Sequence, residues 1–245
     1  MTLSHTEAMS LQATELERTI TMLGALTPQQ WRAQTECPAW DVRRMYLHVL
    51  GACEGAASMK QQMHQMKSAR RHQKAHGGPL EAALSAVQVR ERDDLSPEQL
   101  VQRLTAVAPR AVKKRTSMPG LIRRVVRMKV DGPVVERWSL GYLVDTIYLR
   151  DLWLHRVDAS RATGREIELT ADHDGRVIAD VVDEWARRHG SACRLELSGV
   201  AGGRWEFGTQ APVPSPPLSL DAVEFCRTVG GRAAGAGLLA TVVPF

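Results

Sequence analysis

No stretch of this 245-residue chain approaches the roughly 20 consecutive apolar residues that a membrane-spanning helix requires, so no membrane partner is expected. The four cysteines, Cys37, Cys53, Cys193 and Cys226, form no CxxC pair, which excludes a zinc ribbon and a thioredoxin-like redox motif. Reduced, structural thiols are the expectation. Aromatic residues make up only 5% of the chain, too few for a base-stacking platform, and no zinc-finger spacing occurs. The opening segment MTLSHTEAMSLQATELERTI carries acidic residues and a helical period where a secretory signal has a basic end and an apolar block. A cytoplasmic protein is therefore expected.

The formal net charge is +5, with basic clusters at Arg70, Arg71, His72 and Lys74, at Lys113, Lys114 and Arg115, and over 123–129. Acidic residues are mixed through most of the chain, so these clusters read as solvated faces, and no nucleic-acid partner is expected. A positive field of this kind suits anionic small molecules, such as a substrate or thiol bearing a carboxylate.

Along the chain, apolar residues recur at helical intervals from His5 to about Leu26, and a short helix begins at Pro28. Asp41 is a good N-cap for a long helix running to around Arg70. After HisGlyGlyPro at 76–79, a further helix starts at Ser96-Pro97-Glu98, with proline in its first turn. Residues 116–137 read as an irregular excursion containing a basic helical piece. From about Leu140 to Val157 the sequence is helical and apolar on more than one face, which places that helix centrally. The texture then changes: a short strand is expected over 166–169, an amphipathic helix over 172–188, a hairpin from 194–197 and 204–207, a loop over 212–217 and a capped helix over 219–229. The reading is two domains, 1–161 and 162–245.

Asp151 and His155 stand at i and i+4, one turn apart on one helix face, so both can reach one ion from the same side. His48 is the best partner from another helix: it sits beside Leu47, Val49 and Leu50, where an uncompensated polar ring is costly if buried. Two histidines and a carboxylate would leave a fourth zinc position open for water or for a substrate sulfur or oxygen. Asp158 shares the face of Asp151 and His155, either as the carboxylate ligand or as an acceptor that orients an imidazole. The charged or loop surroundings of His64, His72, His76, His173 and His189 point to surface roles.

Residues 31–51, WRAQTECPAWDVRRMYLHVLG, and 149–164, LRDLWLHRVDASRATG, resemble two hallmark stretches of the mycothiol-dependent maleylpyruvate isomerase family. Residues 221–232, DAVEFCRTVGGR, and the ending VVPF resemble its C-terminal part. The resemblance implies α plus α/β architecture: a DinB-like four-helix bundle followed by a small sterol-carrier-like α/β domain. It further implies zinc, or another divalent metal, held by His48, Asp151 and His155, and mycothiol as thiol cosubstrate. A C-terminal arginine, Arg232 or Arg227, would bind a substrate carboxylate as a planar fork. The implied activity is metal-assisted attack of the thiol on an electrophilic small molecule of maleyl type, as isomerase or S-transferase. Here the acidic position is Asp151 where the characterised isomerase has glutamate. The alternative is a helical bundle that binds metal or ligand, or meets a partner, without turnover.

Overall fold

The computed structural model describes residues 3–131, 135–208 and 216–245. Residues 132–134 of the expected excursion and 212–215 of the expected loop lie outside the described residues. The chain divides into two compact units, Ser4–Arg165 and Glu166–Phe245, the second also taking Leu3.

The first unit is helical. Its first helix, α1 (His5–Gly24), opens with a reciprocal cap in which the Ser4 hydroxyl accepts from the Glu7 amide and the Glu7 carboxylate accepts from the Ser4 amide. A single turn, α2 (Pro28–Trp31), follows. The expected long helix from Asp41 is two helices, α3 (Val42–Ala57) and α4 (Met59–His76). Asp41 caps α3 by accepting from the Arg44 amide at 2.8 Å. The break is at Ser58, which turns extended (φ −143°, ψ 115°) and whose hydroxyl caps α4 through the Gln61 amide. Serine offers the backbone a local hydrogen bond that competes with helix continuation. Helix α5 (Leu80–Arg90), for which the sequence carries no clear period, precedes α6 (Pro97–Thr116), where Ser96 and Gln99 form another reciprocal cap.

The excursion contains the short basic helix α7 (Gly120–Val125) and also an antiparallel pair, β1 (Arg127–Val130) and β2 (Glu136–Ser139), in register Met128↔Trp138. One turn of helix, α8 (Leu140–Tyr142), runs through a widened π turn (Leu143–Ile147) into α9 (Tyr148–Thr163), which ends at Gly164 in the left-handed region (φ 67°). Helix α3 packs on α6, α6 on α1, α1 on α9 and α9 on α3, closing a four-helix bundle. Leu16, Leu23, Met45, Tyr46, Leu50, Leu100, Leu104 and Leu152 fill its core.

The second unit is small and mixed. Residues 166–169, expected as a strand, form no ladder. A π turn (Ala171–Gly175) leads into α10 (Arg176–His189), whose buried Val177, Ile178, Val181, Val182 and Trp185 follow the helical period. Next come β3 (Cys193–Ser198) and β4 (Gly203–Phe207), the expected hairpin, in register Leu195↔Trp205. The helix expected from 219 begins later: β5 (Leu218–Asp221) pairs parallel to β3, and only then does α11 (Ala222–Val229) start, capped by the Asp221 carboxylate. Sheet order is β4-β3-β5, and a 3-10 turn (Gly237–Ala240) lies near the C-terminus. Trp185 of α10 meets Phe225 of α11 edge to face, with centroids 5.3 Å apart.

All four cysteines are free thiols. Among the described residues, no helix is long and apolar enough to cross a membrane.

Candidate metal centre

Helix α3 brings His48 against α9, so that His48, Asp151 and His155 each offer a donor atom within 4.8 Å of the others. His155 Nε2 lies 3.3 Å from Asp151 Oδ1, and His48 Nε2 lies 3.8 Å from Asp151 Oδ2. Donors bound ~2.0–2.2 Å from one tetrahedral ion are separated by roughly 3.3–3.6 Å, so the spacing is of the right order. The two imidazoles meet edge to face at 5.8 Å. Burial differs across the trio: the side chain of His155 is 5% exposed, that of His48 16% and that of Asp151 33%. The carboxylate is therefore the solvent-facing side.

The tautomer of His48 follows from a chain of hydrogen bonds that starts at a fixed acceptor. The Gly51 carbonyl accepts from Gln65 Nε2 at 2.9 Å, Gln65 Oε1 accepts from Gln88 Nε2 at 3.0 Å, and Gln88 Oε1 is 2.8 Å from His48 Nδ1. Since the Gly51 carbonyl can only accept, each amide is oriented in turn, and Nδ1 of His48 is the donor. Its Nε2 lone pair is then left for the Asp151 side, as a metal ligand requires. Gly51 is needed at this spot because a Cβ there would stand 2.6 Å from Gln88 Cβ.

His155 is the buried member, and neither of its ring nitrogens makes a hydrogen bond of adequate geometry. Asp151 faces Nε2, while Asp158 Oδ2 lies 3.5 Å from Nδ1. Burial pushes the imidazole pKa down, but the charge of Asp151, then Asp158 and Cys37, outweigh it and raise the value to about 10. The raised pKa favours the protonated ring, which stands between two carboxylates. An unsatisfied buried nitrogen aimed at a carboxylate and a second imidazole is an arrangement that a divalent cation fits, and the N, N, O donor set is one that zinc accepts.

Asp158 is fully buried on the Nδ1 side of His155, opposite Asp151, and with Cys37 and His155 it makes a second compact group. Tyr46, buried on α3, donates its hydroxyl to the His155 carbonyl at 3.2 Å and ties the two ligand helices together. Trp40 stacks on the His48 ring at 5.2 Å. Gln65, Gln88, Cys37 and Tyr46 carried no signal in the sequence, because each is defined by a partner distant along the chain. Cys53 is buried on α3 outside these groups, and burial pushes its thiol pKa up, which suits an inert core residue.

Arg227 and Arg232 belong to the second unit. Arg227 is buried and its guanidinium pairs with Glu224, whereas Arg232 is half-buried and its amide donates to the Arg227 carbonyl at 2.7 Å. His173, expected at the surface, is buried.

A family model described as the mycothiol maleylpyruvate isomerase N-terminal domain matches residues 13–160, a span that includes His48, Asp151 and His155. Among solved structures, the chain is similar to the mycothiol-dependent maleylpyruvate isomerase, with a TM-score of 0.57 and 13% identity over 96% of this chain and 92% of that one. It is also similar to a histidine-to-alanine variant of that isomerase, with a TM-score of 0.54 and 13% identity over 95% and 91% of the two chains. At this identity the likeness is one of fold, a helical N-terminal unit followed by a small α/β unit. The family model covers more than half of the chain, and the chain belongs to the mycothiol maleylpyruvate isomerase family.

Proposed function

We propose that this chain is a metal-dependent enzyme that activates mycothiol for attack on an electrophilic small molecule, of maleyl type, as an isomerase or S-transferase. The convergence of His48, Asp151 and His155 within 4.8 Å carries the reading. These three residues hold the ion, zinc by their donor chemistry. A bound divalent cation supplies positive charge that lowers the pKa of a thiol, so that thiolate is available at neutral pH. The chain's own contribution is orientation: the Gln65 and Gln88 amides fix His48, and the exposed edge at Asp151 leaves a path for ligands. Of the two arginines, Arg232 is less buried, and we assign it the substrate carboxylate.

The test has two stages. Purified chain is expected to contain close to stoichiometric zinc, and His48→Ala to lose it; unchanged metal content in that variant removes the centre. With metal present, mycothiol-dependent conversion is then measured across maleyl and other electrophiles. Absence of conversion with every member of the panel leaves a metal-binding module and no enzyme. Arg232→Lys is expected to raise KM for carboxylate-bearing substrates, because an ammonium cannot reproduce the bidentate fork.

A further inference from the structure

Outside the His48, Asp151 and His155 trio lies a wound connector at 35–40, between α2 and α3. It is tightly tied. The buried Thr35 hydroxyl donates to the Trp40 carbonyl at 2.7 Å and accepts from the Cys37 amide at 3.2 Å, while the Trp40 amide donates to the Cys37 carbonyl at 2.9 Å. Gln34 Nε2 adds a bond to the Trp40 carbonyl, also at 2.9 Å. Such a loop holds its side chains in place, and two of them reach the metal-ligating histidines from outside. Trp40 lies against the His48 ring with an interplanar angle of 24°. Cys37 Sγ lies 3.8 Å from Asp158 Oδ2, the carboxylate that faces His155 Nδ1.

We propose that this loop is the outer brace of the centre, with Cys37 a positioning residue whose thiol donates to Asp158, which in turn holds His155 by its Nδ1–H. The inference rests on the assignment of His48, Asp151 and His155 as ligands. A fully buried carboxylate is costly without hydrogen-bond donors, and the Cys37 thiol and the His155 Nδ1 edge both face its Oδ2. His155 Nδ1 and Asp158 Oδ2 stand 3.5 Å apart, an ion-pair distance that a small side-chain adjustment converts to a hydrogen bond. Cys37 is on the wrong side to be a ligand of the same ion: it faces the Nδ1 edge of His155, whereas His48 and Asp151 face the Nε2 edge. An ion held by Cys37, Asp158 and His155 would abandon His48.

The distinction is readable in cobalt(II)-loaded full-length protein, together with zinc affinity from chelator competition. The wild-type chain is expected to show cobalt d–d bands and no thiolate-to-cobalt charge-transfer band in the near ultraviolet. Asp158→Asn is expected to weaken zinc binding about 10- to 100-fold and to change the d–d envelope, the usual cost of losing a carboxylate behind a ligating histidine. Cys37→Val, of similar shape but without a donor, is expected to weaken it about tenfold, and Cys37→Ser, which keeps a donor, to stay within about threefold of wild type. Thermal melts identify any variant that has lost its fold, and the serine and valine forms share the same backbone demand, so their ratio reads the hydrogen bond.

Wild-type affinity in both Cys37→Val and Asp158→Asn overturns the brace. So does a charge-transfer band that is present in wild type and absent in Cys37→Ser, since it makes Cys37 a ligand. Wild-type protein that takes up no cobalt, or His48→Ala that binds it as tightly as wild type, removes the centre and the brace together. That result is distinct from either of the others.

Discussion

In the proposed centre, metal binding at His155 would be coupled to protons. Its pKa of about 10 in the metal-free protein lies above the ordinary value of 6.5, so its protonated form stabilises the fold; this contribution is complete below about pH 6.5 and is lost as pH rises through about 10. A cation at Nε2 must displace that proton, and across neutral pH each unit of increase therefore favours the metal. The apparent zinc affinity is expected to rise about tenfold per pH unit between roughly pH 7 and 9, with about one proton released per ion. Calorimetry in buffers of different ionisation enthalpy checks both, and a pH-independent affinity refutes the placement of the ion on His155. Gln88 is the matching test at the other imidazole. Gln88→Leu removes the acceptor for His48 Nδ1 and the donor for Gln65, and is expected to weaken zinc binding about tenfold while costing ~1–3 kcal/mol of stability through orphaned buried groups. A variant with wild-type affinity and stability shows that the relay does not set the tautomer.

At the scale of elements, what the sequence disclosed depended on whether the signal was local. Asp151 and His155 were readable as a pair because a continuous helix fixes their separation, and His48 stood out as a polar ring on an apolar stretch of α3. The caps at Asp41 and Ser96 were equally plain. The break at Ser58 was hidden because the residues after it keep helix-forming character, and only the extended dihedrals of one serine separate α3 from α4. Helix α5 has apolar residues without a clear stripe, so its 3.6-residue period was weak, and with it went the position of Gln88. In the second unit, β5 was absorbed into the helix that follows it, since a four-residue parallel strand is specified by its partner β3 more than by its own pattern. The contact between α3 and α5 is close enough to be tested by one methyl group. Gly51→Ala places a Cβ 2.6 Å from Gln88 Cβ and 3.2 Å from Arg92 Cζ, and is expected to cost ~1–3 kcal/mol by denaturant melting. Because the alanine displaces Gln88 itself, zinc affinity should fall along with stability. Unchanged values for both show that α5 moves aside freely.

Across the whole bundle, a buried ion pair bears on how α9 is held in place. Glu15 of α1 and Arg156 of α9 are both buried, and the guanidinium reaches both carboxylate oxygens, at 2.5 Å from Nε and 3.0 Å from Nη2. Arg156 is the neighbour of His155 in sequence and points to α1, while His155 points to α3. Helix α9 thus meets α1 through an ion pair on one face and α3 through the candidate metal centre on another. The mutual attraction of such a pair is largely offset by desolvation, so its presence says little about net stability; its rupture says more. Arg156→Met takes this guanidinium from the buried Glu15 carboxylate and is expected to cost ~3–5 kcal/mol, with Glu15→Leu alone in the same range. Combining the two removes both charges, and the double variant is expected to be more stable than the sum of the single losses implies, by a coupling of at least about 1.5 kcal/mol. Denaturant unfolding of the four proteins in the presence of chelator measures this directly, free of stabilisation by bound metal. Strict additivity means that Glu15 and Arg156 act on α1 and α9 through other neighbours and not through each other.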